Sequence, residues 1–194
     1  MSWIRNLLLN LTRKFQDSLK DETDYIHLKL PVEKITKGLE ESLKNKFKAI
    51  KNQIELRRAK KDDIKSLITI HEQSWHSTPM PYHQLSKDLL KEMIEDSNII
   101  IFIARIDSND TGFIISYFTG EKKEIGVISG LGILPKFQHK GLGTFLGLTS
   151  WNYFKEKGVK ELRCRVYKDN KNSYNFIKNL GFEEYEDDLP IWKF

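Results

Sequence analysis

From Gln53 to Phe194, apolar runs of strand length alternate with amphipathic stretches of helix length, and this rhythm restricts the fold more than any other feature of the chain. "QIELRRA" (53–59) has the length of a strand, and "KKDDIKSLITIHEQSW" (60–75) follows with Ile64, Leu67, Ile68 and Ile70 along one side of a helix. A proline-broken loop, "STPMPYH" (77–83), leads to a second helix over 83–96. "NIIIFIARI" (98–106) is too apolar to have both faces in water, and "TGFIISYFTG" (111–120) returns across a short turn, which predicts an antiparallel pair. Strands over 124–134 and 159–167 then flank a helix that ends at Gly158; a last helix is capped by Gly181, and 182–194 closes the chain as a strand or pair. Strands of mixed direction with helices between them predict an α/β sheet covered on both faces.

Residues 1–52 read differently, as a helical extension ahead of a domain spanning 53–194. Trp3, Ile4, Leu7, Leu8, Leu11 and Phe15 recur at helical spacing, as do Ile35, Leu39, Leu43, Phe47, Ile50 and Ile54. Between them "DETDYIHLKLP" (21–31) carries acids, a short alternation and Pro31, which fits a connector. Two readings of the extension stand open: packing on the main domain, or a surface helix over residues 1–20 in which Arg5, Arg13 and Lys14 flank the apolar face and meet a membrane or a partner.

The net charge of +5 lies mostly in this front segment, where residues 1–54 hold 11 lysines and arginines against 7 acids. The rest of the chain is close to neutral, so no concentrated basic face predicts a nucleic-acid partner. The single cysteine, Cys164, excludes an internal disulfide framework and a cysteine zinc site, and suits a reducing cytoplasm. No apolar run reaches the roughly 20 residues that span a bilayer.

The chemistry concentrates at "LPKFQHKGLGT" (134–144), where a strand becomes a helix. A helix start has unpaired N–H groups and the positive end of the macrodipole, and glycine lets an anion approach the backbone closely. Gly141 and Gly143 leave the N–H groups of Lys140 to Thr144 uncovered for a phosphate. The spacing matches neither the Walker loop nor the dinucleotide fingerprint.

In its surroundings, "LGILPKFQHKGLGTFL" resembles the acetyl-coenzyme A segment of the GNAT superfamily of N-acetyltransferases, Q/R-x-x-G-x-G/A after an apolar strand and a proline. Gln138, Gly141, Gly143 and Pro135 stand at the matching places, and "NKNSYNFIKNLGF" resembles the family's C-terminal block. The resemblance covers about the last 140 residues. It implies a mixed, mostly antiparallel central sheet flanked by helices, with acetyl-CoA as co-substrate, no metal, and a primary amine of a small molecule or protein as acceptor. A homodimer is compatible with it. It further implies that the N–H groups of His139, Lys140, Gly141, Leu142, Gly143 and Thr144 cradle the pyrophosphate and that Gln138 orients the loop. The edge of Leu131 and Ile133 would bond the pantetheine amides, the Leu131 N–H would polarise the thioester carbonyl, and Asn170 would hold the pantetheine arm.

The catalytic groups depart from the family pattern. Where many members carry a glutamate this chain has Val127, with Ser129 as the polar neighbour and Glu124 nearer the strand start. Where a tyrosine commonly protonates the thiolate it has Ile177, and Tyr174 is the nearest substitute. The loop after the first helix of the domain supplies Trp75, His76, Tyr82 and His83 as acceptor-lining candidates. Two function classes follow: a direct-transfer N-acetyltransferase, or a coenzyme A-binding protein that does not catalyse.

Overall fold

The computed structural model describes residues 24–76, 78–79 and 84–186. In chain order these form β1 (Tyr25–Pro31), α1 (Lys37–Asn45), β2 (Ile54–Arg58), α2 (Ile64–Trp75), α3 (Lys87–Glu95), β3 (Ile99–Ile106), β4 (Asn109–Thr119), β5 (Ile125–Ile133), α4 (Leu142–Glu156), β6 (Glu161–Tyr167), α5 (Lys171–Asn179) and β7 (Glu183–Glu184). The strands make one seven-stranded sheet in the order β2-β3-β4-β5-β6-β1-β7. Every pairing is antiparallel except β5 with β6. The expected hairpin between β3 and β4 turns on Asp107 and Ser108, both at positive φ, the backbone that matches the twist of the flanking strands.

Helices cover both faces, as the alternation predicts. On one face Leu67 and Ile70 of α2 and Leu90 and Met93 of α3 bury Ile101, Ile103, Phe113 and Ile115. On the other, Leu142 and Leu146 of α4 cover Ala104, Ile114 and Ile133, while Trp151 and Phe154 pack with Leu28, Leu162 and Val166. Arg57 ties edge strand β2 to Asp63 ahead of α2 at 2.6 Å and to Asp110 on β4 at 3.0 Å.

The front of the chain corrects the expectation in two places. Tyr25–Pro31 is not a connector: it lies between β6 and β7, paired with β6 from Tyr25↔Tyr167 to Pro31↔Glu161. Its alternation is the reason, since Leu28 and Leu30 enter the core, each contributing about 1.5–3 kcal/mol, while Tyr25, His27 and Lys29 face the other way. The helix expected over 35–54 is confined to Lys37–Asn45, started by Thr36, whose Oγ1 accepts from the Leu39 N–H at 3.2 Å. Turns then carry Phe47 and Ile50 on to a short 3-10 turn at Lys51–Gln53. Strand and core therefore stand on both sides of residue 52, where the extension was expected to end. The helix expected over Trp3–Phe15 lies outside the described residues.

Candidate active site

The parallel pair β5–β6 runs for only three positions, Ile125↔Glu161, Gly126↔Leu162 and Val127↔Arg163. Beyond them β5 stays with β4 as far as Ile133 and β6 stays with β1 as far as Tyr167, so the two strands part and leave a fork in the sheet. A β-bulge marks the parting: Ile115 opposes Gly130 and Ser116 opposes Ile128, which leaves Ser129 unopposed. Ser129 is exposed, and its hydroxyl donates to the Ile115 carbonyl at 3.3 Å.

Strand alternation decides which backbone groups face the gap. The Leu134 N–H bonds the Thr111 carbonyl at 2.9 Å, so Gly132 also turns its N–H and C=O toward β4, and Leu131 and Ile133 turn theirs toward the fork. The Ile133 carbonyl is taken by Gln138, whose Nε2 donates to it at 3.0 Å and ties the loop after β5 to the strand.

That loop makes a 3-10 turn at Pro135–Phe137 and passes through positive φ at His139 and Gly141 before α4 begins. The first bond of α4 runs from the Phe145 N–H to the Gly141 carbonyl at 3.0 Å. The N–H groups of Leu142, Gly143 and Thr144 precede it and have no helical acceptor, the arrangement that an anion cradle needs. Leu142 and Thr144 bury their side chains, so a ligand would meet main chain there. Lys136 and Lys140 hold their ammonium groups 4.9 and 5.6 Å from the Phe137 ring and add positive charge beside the turn. Gly141 is required twice: its φ is +87°, and a Cβ there would stand 2.3 Å from the Lys46 carbonyl oxygen. Phe47 and Phe145 pack edge to face at 5.3 Å, so the residues after α1 form the back wall of the cradle.

Asn170 is buried and caps α5, its Oδ1 accepting from the Ser173 N–H at 3.0 Å. Its amide N–H groups are left for a ligand. Tyr174 does not stand at the fork. Its hydroxyl donates to Glu184 on β7, and β1 and β6 lie between that strand and the gap. The bond to Glu184 raises its pKa, as a proton donated to a carboxylate must. Glu124 accepts the Lys122 N–H at 2.8 Å in the turn ahead of β5, and Val127 is fully buried.

On the face covered by α2, the C-terminal end of that helix comes down onto β5 at Gly132. A Cβ there would meet Phe113 and the Ser74 hydroxyl at 2.7 Å. This brings Trp75 and His76 to the end of α2 beside the splayed half of β5, with the Trp75 ring on His71 at 4.5 Å. Tyr82 and His83 lie outside the described residues. Next to the fork on the same face stand groups that motif reasoning missed: Arg163 and Arg165 on β6, His27 and Lys29 on β1, Tyr117 on β4 and Tyr185. Their signal was the period of two in "YIHLK" and "ELRCRVY". Burial is the main cause that pushes the Tyr117 phenol above its usual range, with Arg165 opposing, so it keeps its proton.

Among the described residues no cluster of three or more His, Cys, Asp or Glu could hold a metal ion, and no helix is long and apolar enough to cross a membrane.

Known proteins share this fold. A spermidine N(1)-acetyltransferase of Thermoplasma acidophilum is 29% identical over 150 residues, 70% of this chain and 91% of the relative. An N-acetyltransferase of Methanocaldococcus jannaschii is 25% identical over 138 residues, 68% of this chain, and the chain spans 61% of that relative's length. The crystal structure of the PaiA N-acetyltransferase from T. acidophilum in complex with coenzyme A matches with a TM-score of 0.63 at 26% identity, covering 71% of this chain and 93% of that one. The sequence pattern of the acetyltransferase (GNAT) family matches residues 67–182, more than half of the chain, and the chain belongs to this family of N-acetyltransferases.

Proposed function

We propose that the chain transfers the acetyl group of acetyl-CoA to a primary amine by direct attack, with both substrates bound together. The observation that carries this reading is the fork: strands part after Val127 and Arg163, and the backbone groups of Leu131 and Ile133 face the gap beside a cradle of open N–H groups. The structural relative was crystallised with coenzyme A, and the sequence relative is named for an amine acceptor.

In this reading the N–H groups of His139 to Thr144 take the pyrophosphate, with Lys136 and Lys140 alongside. Gln138 holds the Ile133 carbonyl and so fixes the loop at one distance from the strand. The free edge of β5 bonds the pantetheine amides, and the Leu131 N–H meets the thioester carbonyl oxygen, where negative charge grows during attack. The amide nitrogen of Asn170 holds the arm from the other side. Acetyl-CoA supplies an activated carbonyl: the amine nitrogen forms a C–N bond, the C–S bond breaks, and a net proton passes from nitrogen to sulfur. Ser129 lines the bulge next to that carbonyl, and solvent reaching the fork carries the proton. Trp75 and His76 border the acceptor. Cys164 lies in the core, where burial pushes its thiol up and leaves no thiolate to carry an acetyl group.

A second reading, coenzyme A binding without catalysis, draws on Val127, which is fully buried, and on apolar Ile177. One experiment separates the two. Calorimetry with coenzyme A should show binding in both, whereas thiol release from acetyl-CoA against a panel of small amines, aminoglycosides and peptides should occur only for an enzyme. Absence of coenzyme A binding would sink both.

A further inference from the structure

Among the described residues, Lys29 and Arg163 stand together beside the fork. Resting on the acetyl-transfer reading, we propose that the amine acceptor bears an anionic group, a carboxylate or a phosphate, held beside Lys29 and Arg163.

Four observations carry the proposal. Arg163 is the last residue of β6 paired with β5, so it marks the point where the strands part. Lys29 lies opposite it on β1, and the Lys29 ammonium and Arg163 guanidinium both face the Tyr185 ring, at 5.2 and 5.1 Å. Arg165, two residues on and on the same face, lies over Tyr25 at 4.8 Å. Two carboxylates on this face are already engaged: Glu161 by Arg163, and Glu183, which lies opposite Lys29, by Lys34. Arg163 gives Glu161 only its Nε, which leaves the N–H donors of its two terminal nitrogens, a planar fork suited to carboxylate or phosphate.

Charge complementarity then separates acceptor classes. Spermidine and putrescine carry further ammonium groups beyond the reacting nitrogen, and these would meet Lys29 and Arg163 at like charge. An amine with a nearby carboxylate or phosphate presents the opposite sign. The half-buried tyrosines Tyr117, Tyr167 and Tyr185 around the cations limit solvent screening and strengthen the preference. The class is thus an anionic amine, whether an amino acid, an acidic peptide or a phosphoamine.

The test measures thiol release from acetyl-CoA by the full chain, with glutamate, an acidic tetrapeptide and O-phosphoethanolamine set against spermidine and putrescine. The expected result is a kcat/KM for the best anionic amine about tenfold or more above that for spermidine, the scale of one charge-assisted hydrogen bond. Lys29→Glu should abolish this preference and Lys29→Gln reduce it, with coenzyme A affinity unchanged in both; the glutamine variant alone decides if the glutamate variant does not fold. Spermidine turned over as fast as the anionic amines, or a preference that survives these substitutions, overturns the proposal while leaving acetyl transfer intact. No thiol release from any amine, in protein that still binds coenzyme A, overturns the acetyl-transfer reading instead.

Discussion

Tyr174 illustrates how residue-scale reading works at this site and where it stops. The turn residues were legible because their chemistry is local: Pro135, Gln138, Gly141 and Gly143 lie within nine positions, and the helix they start follows at once. A side chain's direction is another matter. Tyr174 lies one helical turn after Asn170, and spacing alone allowed it to face either the thioester or the far side of α5. The partner that decides, Glu184, sits on a two-residue strand whose place beyond β1 no local pattern encodes. Gly143 carries a similar lesson. A Cβ there would stand 3.2 Å from Phe176 and 3.3 Å from Ile133, so its missing side chain already makes room for α5. With its hydroxyl held at β7, Tyr174→Phe is expected to leave kcat and the KM for acetyl-CoA within about twofold of the parent, since a general acid would be worth about a hundredfold or more. Steady-state kinetics across pH check this; a hundredfold fall in kcat would return Tyr174 to the chemistry.

At the scale of elements, every strand and helix from β2 to α5 was legible, because each packs a face with its own period against the core and is bounded by glycine, proline or a cap. β1 was not. Its apolar face is three residues, Ile26, Leu28 and Leu30, and its partner β6 comes more than a hundred residues later, so the run reads locally as a linker with an alternation. The same remoteness hid the link between the N-terminal segment and the cradle. The family match begins at residue 67, yet Lys46 and Phe47 form the wall against which Gly141 and Phe145 rest. Coenzyme A affinity should therefore depend on this segment. Phe47→Leu keeps the site apolar, though losing part of a buried ring costs some stability. It removes the edge-to-face contact with Phe145, and the cradle loses its backing. Calorimetry should find coenzyme A bound several-fold more weakly, with the KM for the amine unchanged; unaltered coenzyme A binding in the folded variant would show that the wall is only structural.

At the scale of the whole molecule, the fork joins two sides of one sheet that different elements build. In the proposed function, the coenzyme A side rests on α4, α5 and the turn after α1, and the acceptor side on the end of α2 and the outward faces of β6 and β1. Only β5 serves both, through backbone groups that point into the gap between them. Damage to one side should then leave binding on the other nearly intact. Gly132→Ala tests the acceptor side, because its Cβ would meet Phe113 and Ser74 at 2.7 Å and push the end of α2 outward. Such overpacking costs about 1–3 kcal/mol of stability. Its expected kinetic signature is a raised KM for the amine with coenzyme A affinity within about twofold of the parent. Phe47→Leu, on the opposite side, should do the reverse. Gly132 and Phe47 belong to different packing groups, so in the double variant the losses in kcat/KM, converted to free energies, should add to within about 0.5 kcal/mol. Coupling much larger than that, or a single variant that weakens both substrates equally, would mean that the two sides move as one body and that the fork opens and closes as substrates bind.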